Sequence, residues 1–564
     1  MKISNFRGIE KFFQKFEDSN LICLIGRGDS GKTTILHAIS FVLSPTWNLS
    51  FCDTDFYNCD IQNAIEIEVT LRDLPNSLIR DDKFGLYIQG YDSISKTVSP
   101  ELQDGQEETL TVRLVVESDL EPKWYVVTER NENKIEIHAR DRARFSTFLI
   151  ADQVDQHFSW RKGSPLNSII LNSSEIENIE SKIILDVLRE SKDKIDEHIF
   201  EKFIKTIEEI TTNSKALGLN FTNLKSAIDV REFLLKENRI ILHDKKIPLR
   251  MNGKGSKRLA SLAIQLCLAD SKGIILIDEI EGGLEPDRAQ NLSAHLKNEK
   301  NKQVFMTTHS RDVLVELDAS NLYLMYNSNS NLIQFSSSMQ GILRRNPEAF
   351  YARKVIICEG PTEIGVCKAL DDFRKETGLS SLVSKGIRLA DGTGDEMINY
   401  ALGFKQTGFD VLLFCDSDKK EVNEKKEELK SLGINIVDWP DQDSLEDAIF
   451  KNIKDEDIYN LITLVIDFKS KESSANSKKE LEEQFFQAMV NKGHRDFEAQ
   501  FVSKSFSESA KIDLARSAKS KRWFKTESKG RKLGNYLFGN LSNFDDTNVL
   551  RKNFNSLSSW INNA

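Results

Sequence analysis

Residues 21–43, LICLIGRGDSGKTTILHAISFVL, leave this chain few choices of fold. A short apolar run ends in a glycine, and after the loop the apolar positions return with helical spacing. A buried strand must therefore turn through a glycine-rich loop straight into a helix, a unit normally built into a mainly parallel sheet. The loop itself, GRGDSGKTT, matches the phosphate-binding pattern in full. Glycines let backbone N–H groups wrap a polyphosphate, Lys32 can reach the β and γ oxygens, and the Thr33 hydroxyl suits Mg²⁺. Gly26, Gly28, Ser30, Gly31, Lys32, Thr33 and Thr34 are the candidate phosphate contacts.

Two later strands complete a nucleotide site. GIILIDEIEGGLEP (273–286) carries apolar residues into Asp278 and Glu279. Asp278 is placed to hold Mg²⁺, with Thr33, and Glu279 to polarise an attacking water. QVFMTTHS (303–310) is a third apolar strand, with His309 just past its end and able to meet a γ-phosphate. This order of elements resembles that of ABC-type ATPases. The resemblance implies ATP sandwiched between two subunits and capped by a glycine-containing segment of the opposing one. Here that segment is MNGKGSKRLASLAIQLCL (251–268), with Gly253, Gly255, Ser256 and Lys257 expected to face the opposing γ-phosphate; it departs from the usual Leu-Ser-Gly-Gly-Gln form. FCDTDFYNCD (51–60) is the region expected to hold the glutamine loop, with no one residue singled out.

A second acidic constellation follows. KVIICEGPTE (354–363) is a strand ending at Glu359, then a glycine turn and a helix. VLLFCDSD (411–418) is a strand ending in Asp416 and Asp418. In a parallel sheet both tips can meet at the carboxyl edge, where open α/β folds bind ligands. Clustered carboxylates repel unless cations neutralise them, and hard oxygen donors point to Mg²⁺ or Mn²⁺. Two such ions can activate water and stabilise the leaving oxygen of a phosphodiester. Glu363 joins Glu359, Asp416 and Asp418 as a candidate ligand, and DQDSLEDAIF (441–450) adds Glu446 and Asp447 for a second ion. The Glu-Gly turn followed by an Asp-x-Asp strand end resembles the Toprim pattern, and ADGTGDEM (390–397) supplies the loop expected between them.

At 564 residues the chain is too long for one core, and 39% apolar against 29% charged content fits a folded enzyme. Its organisation reads as 1–173, the first part of an ATPase domain; 174–236, a helical insertion suited to dimerisation; 237–345, the rest of the ATPase domain; and 346–564, a Toprim domain with a C-terminal helical extension. KSKESSANSKKE (469–480) reads as a flexible loop. No apolar run is long enough for a membrane span, and MKISNFRGIEKFF lacks the apolar core of a signal peptide. Seven cysteines without Cys-x-x-Cys spacing suggest reduced thiols, no zinc module and a cytoplasmic location. A net charge of −10 does not suggest a general polyanion binder, so nucleic-acid contact needs local basic patches. Residues 511–532, with nine Lys or Arg against two acids and Trp523 and Phe524 embedded among them, are such a patch, suited to contact with a phosphate backbone.

An ABC-type ATPase followed by Toprim resembles the OLD-family (overcoming lysogenization defect) nucleases, on GRGDSGKT, LIDEIEGGLEP, TTHS, CEGPTE and CDSD in this order, and on ISNFRGIEKF at the start. The resemblance implies an α/β fold: a RecF-like ATPase domain with a helical dimerisation insert, then a Rossmann-like parallel sheet. It further implies ATP and Mg²⁺ or Mn²⁺ as cofactors, a homodimer through the ATPase domain, and metal-dependent DNA cleavage. Glu279, Glu359, Asp416 and Asp418 would be catalytic, with a downstream Lys. TESKGRKLGNYL (526–537) matches that last element, giving Lys529, with Lys532 in reserve. Family members serve in defence against phage, alone or with a partner such as a helicase or a retron reverse transcriptase and its single-stranded DNA. The length and two-part layout would suit a retron effector. The alternatives are an ATP-gated DNA-binding sensor or clamp whose Toprim site is structural, and a Toprim RNase.

Overall fold

In the computed structural model, strand Leu21–Ile25 is buried along its whole length and leads through the glycine-rich loop into helix Lys32–Val42. The structure describes residues 1–16, 19–80, 82–160, 163–172, 203–228, 240–268, 273–327, 331–418, 420–472 and 477–563. The chain divides into two units, Met1–Phe335 and Ser336–Ala564.

In the first unit, the described residues form a six-stranded sheet in the order Phe148–Ile150, Gly273–Ile277, Lys302–Thr307, Leu21–Ile25, Leu322–Leu324, Ile333–Gln334. All neighbours are parallel except the last pair. Ile277 stands beside Met306, and Met306 beside Cys23. That register brings the ends of the three motif-bearing strands to one edge. A second, antiparallel sheet runs from Ile9–Phe13 and Lys2–Phe6 through Ile65–Leu71 to Glu107–Val116 and beyond. Strand Ile65–Leu71 buries alternate residues, as its period-two pattern requires. One core cluster takes Ile22 and Leu24 from the first sheet, Ile67 and Leu114 from the second, and Ile35, Leu36 and Ile39 from the helix after the phosphate loop. Burial of that helix face is what fixes the loop over the sheet edge.

Most of the expected helical insertion, 174–236, lies outside the described residues. Its described part is helix Ile204–Ala216 and strand Leu224–Ile228. The helix stops because Gly218 takes φ +78° and the N–H of Leu219 closes onto the Ser214 carbonyl at 2.8 Å. The strand then pairs antiparallel with Ile240–Asp244. An all-helical reading up to 236 is corrected at this point.

The second unit is built on a parallel sheet, Ile387–Asp391, Lys354–Cys358, Asp410–Phe414, Asn435–Val437, with helices Pro361–Glu376 and Met397–Gln406 among its connections. It begins before the 345/346 boundary read from sequence. Asn346 accepts the Asp391 N–H at 3.1 Å through its side chain, and Met339 packs on Gly403, tying residues 336–351 to this unit. Residues 469–480 are largely helical where described: Asp455–Glu472 runs into the segment and Lys478–Val490 leaves it. Ser477 and Glu480 form a capping box there, a helix-start signal hidden in a polar stretch. Helices Glu508–Ser520, Glu527–Gly539 and Val549–Asn562 close the core around Trp439, Phe538 and Phe554. Among the described residues no helix is long and apolar enough to cross a membrane. The α/β class read from the sequence, two sheets with parallel motif-bearing strands, is the one observed.

Candidate functional site

The phosphate loop depends on glycine where the chain crowds itself. Gly26 has φ +147°, and a Cβ there would lie 2.3 Å from the Met325 carbonyl oxygen. Gly31 has φ +101° as it starts the helix. Gly28 sits at the open crest, where a Cβ would meet nothing within 4 Å. The Lys32 ammonium donates to the carbonyls of Gly26 (3.1 Å) and Arg27 (2.6 Å) and to Ser30 Oγ (3.3 Å). Burial lowers its pKa, while Asp278, Glu279 and Asp29 act in the opposite sense. Thr34 is half-buried on the first helical turn.

Asp278 Oδ1 is a meeting point: it accepts the Thr33 hydroxyl at 3.0 Å and the Thr307 hydroxyl at 2.7 Å. Thr307 Oγ1 in turn accepts the Glu279 N–H at 2.7 Å. Glu279 is exposed and left-handed, φ 47°, a sparsely populated conformation that turns its side chain off the strand end. Arg258 braces the same turn by donating to the carbonyls of Asp278 and, at 2.8 Å, Glu279. His309 is exposed just past the neighbouring strand. The structure thus brings Lys32, Thr33, Asp278, Glu279 and His309 to one edge. Thr307 and Arg258 were missed because their roles depend on strand register and on a helix twenty residues away.

The segment expected to cap an opposing nucleotide opens helix Lys254–Cys267, with Gly253 as its N-cap. A Cβ on Gly255 would lie 2.3 Å from the chain's own Gly283 carbonyl, so this glycine serves close packing within the chain. Lys257 is tied to Asp155 at 2.8 Å and Lys254 to Asp152 at 2.7 Å. Gly253 is exposed and Ser256 half-buried. In the expected glutamine-loop region, Asp55 accepts Arg7 Nε at 2.9 Å and the Cys52 N–H at 3.1 Å.

In the second unit, Cys358 pairs with Phe414 across the parallel strands, so Glu359 and Asp416 emerge from the same edge. Glu359 Oε2 accepts the Asp416 N–H at 2.9 Å. Asp416 Oδ1 accepts the Leu445 N–H, at the start of helix Leu445–Asn452, at 2.8 Å. Glu363 Oε2 accepts the Gly360 N–H at 3.0 Å and caps its own helix. Burial, then Glu359 and Glu446, push the Asp416 carboxyl up to about 8. Burial, then Asp416, push Glu363 well above its usual range. Glu446 is raised by burial against the pull of Lys525, and its Oε1 is buried with no hydrogen-bond partner. All five predicted ligands are thus linked through Asp416, on which Glu359, Glu446 and Asp418 act and which itself acts on Glu363. Asp418 also forms an ion pair with Lys519. Asp447 is corrected: its Oδ2 accepts the Ser444 N–H (3.1 Å) and hydroxyl (2.7 Å), a helix cap.

Among the described residues no three His, Cys, Asp or Glu side chains converge on one point as ready ligands. The donor set nonetheless fits a hard divalent cation: it is all oxygen, neighbouring carboxylates raise the pKa of Asp416 and Glu363, and Glu446 carries a buried acceptor that nothing satisfies.

Lys529 is half-buried, and its N–H closes the Thr526 cap at 3.3 Å. Lys532 lies over the Phe468 ring, 4.9 Å from its centroid. Lys525 acts on Glu363 and Glu446, and Lys519 on Asp418 and Asp416. Helix Glu527–Gly539 crosses helix Pro361–Glu376 closely, with Gly530 against the Thr362 carbonyl and Gly365 against that of Glu527. Thr362 Oγ1 donates to the Phe524 carbonyl at 3.1 Å. This crossing holds residues 524–530 beside the turn that carries Glu363. Trp523 and Phe524 are buried in the core, so they take no part in a basic surface. Lys521, Arg522 and Lys525 are exposed.

Comparison with known proteins agrees with this two-part layout. A family model described as "AAA domain, putative AbiEii toxin, Type IV TA system" matches residues 21–316, and one described as "Overcoming lysogenization defect protein-like, TOPRIM domain" matches 350–418. An "ATP/GTP phosphatase" of Helicobacter pylori is 29% identical over 160 residues, 27% of this chain and 39% of that protein. "Retron Ec83 probable ATPase" of Escherichia coli is 27% identical over 180 residues, 29% of this chain and 32% of that protein. The chain therefore spans well under half the length of either relative. Among solved structures, an SMC head bound to the C-winged helix domain of ScpA is 16% identical with a TM-score of 0.35, covering 59% of this chain and 96% of that one. The SMC head domain from Thermotoga maritima is 14% identical with a TM-score of 0.28, covering 59% and 97%.

Proposed function

The chain belongs to the OLD-family ATPase–Toprim proteins, and from that premise we propose that it is an ATP-regulated, divalent-metal-dependent DNA endonuclease or nickase. The observation that carries the nuclease half is the mutual crowding of Glu359, Glu363, Asp416 and Glu446 at one sheet edge, beside exposed cationic side chains. Such a cluster is costly to keep unless cations share it.

At the nucleotide site, Lys32 would neutralise the β and γ oxygens, and Thr33 and Asp278 would hold Mg²⁺. Glu279 would orient the attacking water, and His309 would meet the γ-phosphate. Homodimerisation through this domain belongs to the same reading, since Gly253 and Ser256 open a helix whose first turn carries no acid.

At the Toprim site, Glu359, Glu363, Asp416, Asp418 and Glu446 would hold Mg²⁺ or Mn²⁺. When bound, the cation supplies a polarised water and charge neutralisation at the phosphodiester. The chain's own residues do the rest. The amides of Asp416 and Leu445 fix the Glu359 and Asp416 carboxylates. Lys519 and Lys525 place positive charge where a nucleic-acid backbone would enter. Defence against phage, with or without a partner such as a helicase or a retron's reverse transcriptase and single-stranded DNA, is the biological setting proposed; the retron-linked relative supports it. A location in the cytoplasm goes with that setting. One observation favours the sensor reading instead: Asp418 is already neutralised by Lys519.

The metal claim has a direct test. Mn²⁺ or Mg²⁺ added to chelator-treated protein is expected to raise the thermal unfolding midpoint by several degrees, because it relieves carboxylate repulsion (roughly 1–2 kcal/mol is enough in a domain of this size). Glu446→Gln is expected to lose most of that rise. An equal rise in both proteins would remove Glu446 from the ligand set.

A further inference from the structure

The loop after Asp278 carries a third acid, Glu281, which neither water activation nor metal binding uses. Its carboxylate is fully engaged: Oε2 accepts the Thr308 hydroxyl at 2.7 Å and Oε1 accepts the His309 N–H at 2.7 Å. Thr308 Oγ1 also accepts the Ser310 N–H at 3.0 Å, and Ser310 Oγ caps helix Arg311–Glu316 through Val313 N–H at 3.4 Å. The turn that presents His309 is therefore wired to Glu281 from both sides. Thr307 and Thr308 divide the labour: Thr307 ties the strand end to Asp278 and Glu279, and Thr308 ties the turn to Glu281.

The loop bearing Glu281 is itself fixed. Gly282 N–H donates to the Glu279 carbonyl at 2.7 Å. A Cβ on Gly282 would lie 2.8 Å from the Arg258 guanidinium, and the Gly283 carbonyl packs on Gly255. Hydrogen bonds from hydroxyl and amide to an ionised carboxylate are strong and directional, so this carboxylate sets the position of the His309 main chain.

We infer that Glu281 is a positioning residue for ATP hydrolysis, holding the His309 turn where the imidazole meets the γ-phosphate. The inference rests on the nucleotide-site reading above. It separates from ATP binding because the phosphate loop makes its own contacts: Lys32 with Gly26, Arg27 and Ser30, and Thr33 with Asp278. A glutamine at 281 keeps the size but offers one acceptor oxygen for two donors. The imidazole would then drift, at a cost in the chemical step rather than in binding.

The test is steady-state ATP hydrolysis by wild type, Glu281→Gln, Thr308→Val and His309→Ala, and by Glu281→Gln combined with His309→Ala. Glu281→Gln is expected to lower kcat roughly 10- to 100-fold, the scale of an ångström-sized misplacement, with KM changed by less than about twofold. Thr308→Val, which removes one of the two bonds, should lower kcat less; it also serves if Glu281→Gln folds poorly. On the His309→Ala background Glu281→Gln should have little further effect, because residues acting as a unit are not additive. An unchanged kcat in Glu281→Gln and Thr308→Val would overturn the inference. So would a full, additive loss on the His309→Ala background. Wild-type protein that does not hydrolyse ATP would instead overturn the nucleotide-site reading on which it rests.

Discussion

Asp416→Ala is expected to abolish DNA nicking, by more than about 100-fold, while ATP hydrolysis stays near the wild-type rate. The magnitude follows because changes one shell further out from a metal already cost about 10- to 100-fold. Asp416 is the carboxylate on which the cluster turns. Its Oδ1 is fixed by the Leu445 amide, its own amide holds Glu359, and it carries the fields of Glu359, Glu446 and Asp418. Removing it would leave Glu363 and Glu446 less crowded, so stability should not fall as a structural role would require. The check is nicking and ATP turnover on one preparation, alongside a thermal unfolding midpoint. A loss of nicking accompanied by a large drop in that midpoint would point to a structural role instead.

Lys32→Ala is expected to remove ATP hydrolysis to a similar extent, by more than about 100-fold, since the developing phosphoryl charge loses its counter-ion. Glu279→Gln should differ in kind. It keeps the loop and its cation, so ATP should still bind while turnover slows. With ATP held and not consumed, light scattering on Glu279→Gln is expected to show a dimer. Wild-type turnover in both variants would remove this site from the account. A Glu279→Gln protein that stays monomeric with saturating ATP would remove the two-subunit arrangement.

What could be read from the sequence was what lies within short windows. The phosphate loop, the acidic strand end at Asp278 and the Glu359 and Asp416 strand tips each announce themselves by an apolar run that stops at a polar residue. Parallel pairing then brings them to common edges, and the sheet registers show that it does. Roles set by turn geometry or distant packing were not legible. Glu281 stood inside a quoted motif, yet its use depends on how the turn after the neighbouring strand folds back. No motif announced Lys525 and Lys519 as cations acting on the carboxylates; the helix crossing at Gly365 and Gly530 holds residues 524–530 beside the Glu363 turn. Trp523 and Phe524 stand within a basic run, yet the neighbouring helices bury both. At Gly255 only the structure reveals the facing Gly283 carbonyl that leaves no room for a side chain.

The central claim is that the carboxylate cluster of the second unit cuts nucleic acid under the regulation of a separate nucleotide site. Its most direct test is incubation of the wild-type protein with supercoiled plasmid and Mn²⁺ or Mg²⁺, with and without ATP, and with a single-stranded RNA in parallel. The account predicts open-circular plasmid that appears only with the divalent ion, changes in amount with ATP, and exceeds any cleavage of the RNA. Intact plasmid under every condition, from a preparation that hydrolyses ATP, would contradict it and leave an ATP-gated DNA sensor as the better description.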